Sequence, residues 1–336
     1  MWNASTKYCR DGKLSKIPAL LYDVVHFLEQ KVPRSALTEI EDKILKSTEL
    51  SRRRFVGLAG LLGASALVSP ALLHAVEPHI VDKPYNTLTE QEEIELGRKF
   101  SAEYEKKVEI MHNPEIDAYL NNIIHKLGNA SQRPHWPYQV KVVNSAVVNA
   151  CAIPGGFLYL QRGLLEYVEG ENEMVGAMAH EVGHVVARHT TNQLVLNFLA
   201  RNLFDKVKKN VLLNNDVIAR IIEALGGPVV MLAELKYSRE NESEADMLGF
   251  YEMYRAGWHP NGLLKFFTRM QQEERGRNPI DIMLSDHPAS ADRAAAIRRE
   301  LATVKITAPL VEQTAQFQAL KDTLKRMPPA PKPAKG

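Results

Sequence analysis

The sequence predicts an α+β fold, mainly α, with a small β-sheet beside one central helix. Three observations predict it. Apolar residues recur at helical spacing over most of the chain after residue 88, strand-like patterning falls within residues 138–160, and a strongly apolar helical stretch follows at 171–191. The chain has 336 residues, 45% hydrophobic and 24% charged, which is enough for a sizeable core and excludes disorder throughout. A formal net charge of +2 is too small for a nucleic-acid footprint. Two cysteines, Cys9 and Cys151, cannot form the disulfide framework of a small secreted domain, and no CxxC pair suggests a zinc ribbon or redox site.

In chain order, Leu88 to Leu127 reads as two helices, the first opened by a capping box of Thr89 and Glu92 and the second set off by Asn113-Pro114. Tyr138–Asn144 alternates as a half-buried strand does. Val147–Leu160 reads as two short strands around Pro154-Gly155-Gly156, where paired glycines permit a tight turn. A helix is expected from about Glu171 to about Thr191. The segment Leu194–Leu235 is apolar at helical spacing and suits either core helices or a lid over a cleft. Another helix runs from about Ala233 to Ala256 and stops at Gly257, with Pro260 beyond. Helices follow near Gly262–Glu274 and Ala291–Leu301, the second capped by Ser290, and Pro328–Gly336 reads as a disordered tail.

Charge is unevenly placed. Residues 1–75 carry 11 basic and 7 acidic side chains, leaving the remainder faintly acidic. Within that leader, Arg52-Arg53-Arg54 precedes an uncharged run from Phe55 to Ala75, a layout that resembles a twin-arginine export signal. The run is also long enough to span a hydrocarbon core of about 30 Å, so a cleaved signal and a retained anchor both remain open. Residues 1–50 read as an N-terminal extension of unknown role, 51–75 as the signal or anchor, and 76–327 as the working domain.

The chemistry lies in His180-Glu181-Val182-Gly183-His184. Residues four apart share a helix face, so His180 and His184 can offer two imidazole nitrogens to one ion, with Glu181 beside them to deprotonate a water. Apolar flanks imply that this helix is buried, where two histidines and a glutamate without a metal would be costly. A third ligand is required. His189 fails the metzincin spacing, since Ala187 and Thr190 stand where that pattern needs Gly and His. The alternative is Glu242-Ser243-Glu244-Ala245-Asp246, whose Glu242 and Asp246 share one face and could supply a carboxylate ligand and an acceptor for a ligand histidine's second N–H.

Taken with Asp286-His287-Pro288 and Arg293, and with the stretches 92–98, 149–156, 158–165 and 180–189, this pattern resembles the zinc metallopeptidase family that contains the CAAX prenyl proteases and the HtpX type. The soluble exported BepA/LoiP-like branch fits best. The resemblance implies a zincin-like fold in which His180, His184 and Glu242 bind one Zn²⁺ and Glu181 is the general base. It implies that Asp246 supports a ligand and that His287 donates to the oxyanion or occludes the metal at rest. Asn149, Ala150 and Ala152 would form the strand edge that pairs with an extended peptide, and Arg293 would orient the substrate or its loop. Cys151 departs from the branch's usual Phe. The implied function is endoproteolysis of misfolded or misassembled envelope proteins in the periplasm, with possible membrane association through the leader and no nucleic-acid partner. The alternative is an envelope chaperone or assembly factor with a regulatory zinc site.

Overall fold

A computed structural model describes residues 78–83, 86, 88–204, 237–273, 287, 291–307 and 309–332. The leader, most of the apolar segment between 194 and 235, and the proposed cap at Ser290 lie outside these residues.

Helix α1 (Glu90–Glu105) begins at the expected capping box, with Thr89 and Glu92 each capping the other's backbone N–H. Strand β1 (Ile110–Met111) is followed by α2 (Pro114–Ala130), whose Asn113 side chain accepts from Glu115 N and Ile116 N. Asn113-Pro114 is therefore the second helix's start signal as well as the break. Strands β2 (Gln139–Val143), β3 (Ala150–Ile153) and β4 (Phe157–Gln161) complete one four-stranded sheet in the order β1-β2-β4-β3. β2 and β4 are parallel, while β1–β2 and β3–β4 are antiparallel. The short helix α3 (Arg162–Tyr167) leads to α4 (Glu171–Val186), which carries His180, Glu181 and His184.

The sheet is covered on both faces, and the strand alternation decides which side chain goes where. Val140, Val142, Ala150, Ala152, Leu158 and Leu160 point into the core shared with α2 and α4. Val143, Ile153 and Tyr159 point the other way, against Leu96, Phe100 and Tyr104 of α1. Leu96 and Phe100 are fully buried, each contributing about 1.5–3 kcal/mol relative to exposure. Half-buried Cys151 packs against this second cluster, away from α4.

The expected helix 171–191 is two helices. α4 stops at Val186, Arg188 takes φ 58°, and α5 (His189–Phe204) starts after it. The break is held by Arg188, whose guanidinium donates to Glu93 Oε2 and Leu88 O, both at 2.6 Å. Helix α6 (Arg239–Ala256) ends at Gly257 in the left-handed region, as expected, but its cap is Ser238. Helices α7 (Asn261–Glu273) and α8 (Ala291–Thr303) match their expected positions. Helix α9 (Ala315–Arg326) was not expected, and beyond it Pro331 O accepts from Ala146 N.

α6 lies directly on α4, and glycine allows the approach. A Cβ on Gly183 would come within 2.5 Å of Ala245 O, and one on Gly249 within 2.9 Å of Ala179. Each glycine faces the other helix's backbone at the height of the HExxH and ExxAD sequences. Close contact at these two points brings the two motifs into one centre. Among the described residues no helix is long and apolar enough to cross a membrane.

Candidate metal centre

α4 presents His180 and His184 one turn apart, and α6 presents Glu242 against them. His184 Nε2 lies 3.0 Å from His180 Nε2 and 3.3 Å from Glu242 Oε1. His180 Nε2 lies 3.5 Å from Glu242 Oε2. His287 closes the group, with Nδ1 3.0 Å from Glu242 Oε1 and 3.2 Å from His180 Nε2. These four residues offer one ligand atom each, all within 4.8 Å of one another, and all four are buried. Ligands about 2.0–2.1 Å from a tetrahedral ion stand roughly 3.3 Å apart, so the spacing fits a metal of that kind.

The hydrogen bonding behind the rings makes the same point chemically. His180 Nδ1 lies 2.8 Å from Asp246 Oδ1, and a carboxylate can only accept. His180 therefore holds a proton on Nδ1. A neutral ring then aims a bare Nε2 lone pair at the neighbouring His184 Nε2, an arrangement that a cation resolves. Glu181 Oε1 is buried and accepts no hydrogen bond among the described residues; His287 Nε2 lies 3.4 Å from it.

Electrostatics follow from burial and packing. Burial by itself lowers His180, yet the hydrogen bonds to Asp246 and Glu242 outweigh it and raise the ring to about 9. Burial holds His184 well below the ordinary imidazole value. Glu242 and Asp246 would both be raised by burial, but His287 and His180 pull Glu242 far below the carboxylate range and Arg293 pulls Asp246 down. His184 and the Glu242 carboxylate are thus already in the form that binds a divalent ion, whereas His180 would have to release its second proton to do so.

Arg293 is buried beside these four residues. It forks onto Asp246 at 2.6 and 2.7 Å, reaches Glu242 Oε2 at 2.7 Å, and stacks on Phe267 at 4.3 Å from the ring centroid. Asn149, Ala150 and Ala152 do lie at a sheet edge, since β3 is the outer strand. Gln161 N donates to Asn149 O, so antiparallel alternation turns the main chain of Ala150 and Ala152 outward. Ala150 N is already bonded to Asn149 Oδ1, and the two alanines are 1% and 3% exposed, so the edge is covered in this conformation.

Tyr237 and Glu244 escaped the sequence reading, and His189 was weighed there only as a third ligand. The Tyr237 ring lies 4.1 Å from that of His184, its hydroxyl 2.8 Å from Thr190 Oγ1. His189 Nδ1 meets His184 Nδ1 at 3.0 Å, and His189 Nε2 meets Glu244 Oε2 at 3.2 Å. Glu244 carried a visible signal as the middle acid of the ExxAD stretch. His189 was visible as a histidine near the motif but not in this role, which a helix break creates, and Tyr237 carried no signal because an inter-helix contact brings it in.

The profile described as peptidase family M48 matches residues 114–301. The chain is 24% identical over 276 residues to the beta-barrel assembly-enhancing protease of Escherichia coli, covering 77% of this chain and 54% of that protein. It is 29% identical over 170 residues to metalloprotease YcaL of Escherichia coli, covering 50% of this chain and 64% of the other. It is also 29% identical over 157 residues to the mitochondrial metalloendopeptidase OMA1 of Arabidopsis thaliana, covering 47% and 30% respectively. The chain thus spans about half the length of the beta-barrel assembly-enhancing proteases that it matches.

Proposed function

The chain belongs to peptidase family M48, and on that premise we propose that it is a zinc-dependent endopeptidase cleaving proteins of the bacterial cell envelope in quality control. The observation that carries the reading is the convergence of His180, His184 and Glu242, with Glu181 Oε1 buried and unbonded beside them. Zinc held by those three residues would supply Lewis acidity to water and to a peptide carbonyl. Glu181 takes the proton of the attacking water and returns it to the leaving amine. Asp246 fixes the tautomer and plane of His180 through Nδ1. His287 offers a fourth nitrogen to the same group of atoms; withdrawn from it, His287 would be the donor for the oxygen that gains charge as the carbonyl is attacked.

An extended substrate pairs with the outward main chain of β3 at Ala150 and Ala152, after the cover over that edge moves. Backbone pairing makes specificity for side chains loose, which suits clients recognised because they are unfolded. The name of the beta-barrel assembly-enhancing relatives supports clients among proteins of that assembly.

The test is metal removal. Purified protein should hold one zinc per chain, lose casein hydrolysis to background after dialysis against a chelator, and regain it with zinc. Hydrolysis unaffected by complete metal removal would sink the reading. Residues 51–75 act as a twin-arginine signal that delivers the folded domain to the periplasm, on the strength of Arg52-Arg53 ahead of an uncharged run. Changing both arginines to lysine should abolish export, and unchanged export of that variant would refute the route.

A further inference from the structure

We propose that His189 and Glu244 are positioning residues that set the tautomer and plane of the metal ligand His184; the inference rests on the reading of His180, His184 and Glu242 as ligands. His184 Nε2 faces the other ligand atoms, at 3.0 Å from His180 and 3.3 Å from Glu242. As a neutral ligand it must carry its proton on Nδ1, which lies 3.0 Å from His189 Nδ1. His189 then accepts at Nδ1 and carries its own proton on Nε2, which lies 3.2 Å from Glu244 Oε2. A single proton arrangement satisfies every bond from Glu244 through His189 to His184.

The two ligand imidazoles are thus served in parallel. Asp246 holds His180 directly, and Glu244 holds His184 through one intervening ring. His189 is not itself a ligand for this ion, because it meets His184 on Nδ1, across the ring from the nitrogen that faces the centre.

The backbone is arranged for this contact. Had α4 continued, His189 would stand five residues past His184, about 140° around the axis and turned away. The left-handed Arg188 breaks the helix and brings His189 back. A non-glycine residue in that region is strained and persists where its surroundings hold it. Here the holding bonds are those of buried Arg188 to buried Glu93 and to Leu88 O. Tyr237, lying 31° from the His184 plane and tied to Thr190, closes the other side of the ring.

The experiment compares the full chain with His189→Leu, His189→Asn and Glu244→Ala. Zinc affinity is read by competition with a chromogenic chelator, ligand geometry from the visible spectrum of the cobalt-substituted protein, and fold from thermal unfolding after chelation. His189→Leu removes the acceptor and should weaken zinc by about 10–100-fold with an altered cobalt spectrum. In His189→Asn the amide oxygen stands near the lost Nδ1 and should recover most of that affinity. Glu244→Ala should fall between wild type and His189→Leu, and its partly exposed position keeps it folded if His189→Leu is not. Variants that bind zinc within twofold of wild type with an unchanged cobalt spectrum overturn the inference, whatever happens to their melting temperatures. A wild-type protein that holds no zinc removes the function reading and this inference together, whereas zinc-loaded wild type with indistinguishable variants removes this inference alone.

Discussion

Glu181→Gln is expected to lower hydrolysis of casein by about 10²–10⁴-fold, the usual contribution of a positioned general base, while zinc content and thermal stability stay at their wild-type values. Glu181 stands on α4 between His180 and His184, and its Oε1 is buried without a hydrogen bond, so the isosteric amide breaks no hydrogen bond at that oxygen. The amide cannot accept the proton of the attacking water. Retained turnover with one zinc per chain would remove Glu181 from the chemistry. The same variant separates proteolysis from the chaperone alternative: if it restores client maturation in a strain lacking the protein, the binding role leads.

The centre was largely legible because both of its motifs are helical, and helix spacing alone puts His180 with His184 and Glu242 with Asp246 on shared faces. What joins them is less visible. Contact at Gly183 and Gly249 is a tertiary fact, and only the order of the motifs hinted at it. The sheet shows the same division. Alternation located β2, β3 and β4, but nothing local says that β4 inserts between β2 and β3 or that two residues, Ile110 and Met111, pair as β1. The overlong helix at 171–191 failed at Arg188, where propensity favours continuing and buried ion pairing to Glu93 overrides it. Helix α9 did carry its signal: Thr314 caps it, and Phe317, Leu320 and Leu324 repeat on one buried face. That segment could have been read.

Arg293→Ala is expected to destabilise the metal-free protein by about 3–5 kcal/mol in urea unfolding, because it strands two buried carboxylates. Arg293 is the counter-charge for both Asp246 and Glu242 and is itself buried against Phe267. Arg293→Lys keeps a charge but cannot fork onto Asp246 while reaching Glu242, so an intermediate loss is expected. The pH dependence gives an independent check. Burial pushes Asp246 up, Arg293 more than offsets it, and the folded carboxyl ends below its ordinary value of 3.8. A lowered carboxyl contributes stability that is present above the unfolded pKa and lost as pH falls through the folded one. Removing Arg293 removes that contribution, so the gap between variant and wild type should be full near neutrality and narrow below about pH 4. A loss under about 1 kcal/mol at pH 7, or a gap that stays constant into acid, would show that Arg293 is not what neutralises the carboxylates beneath the centre.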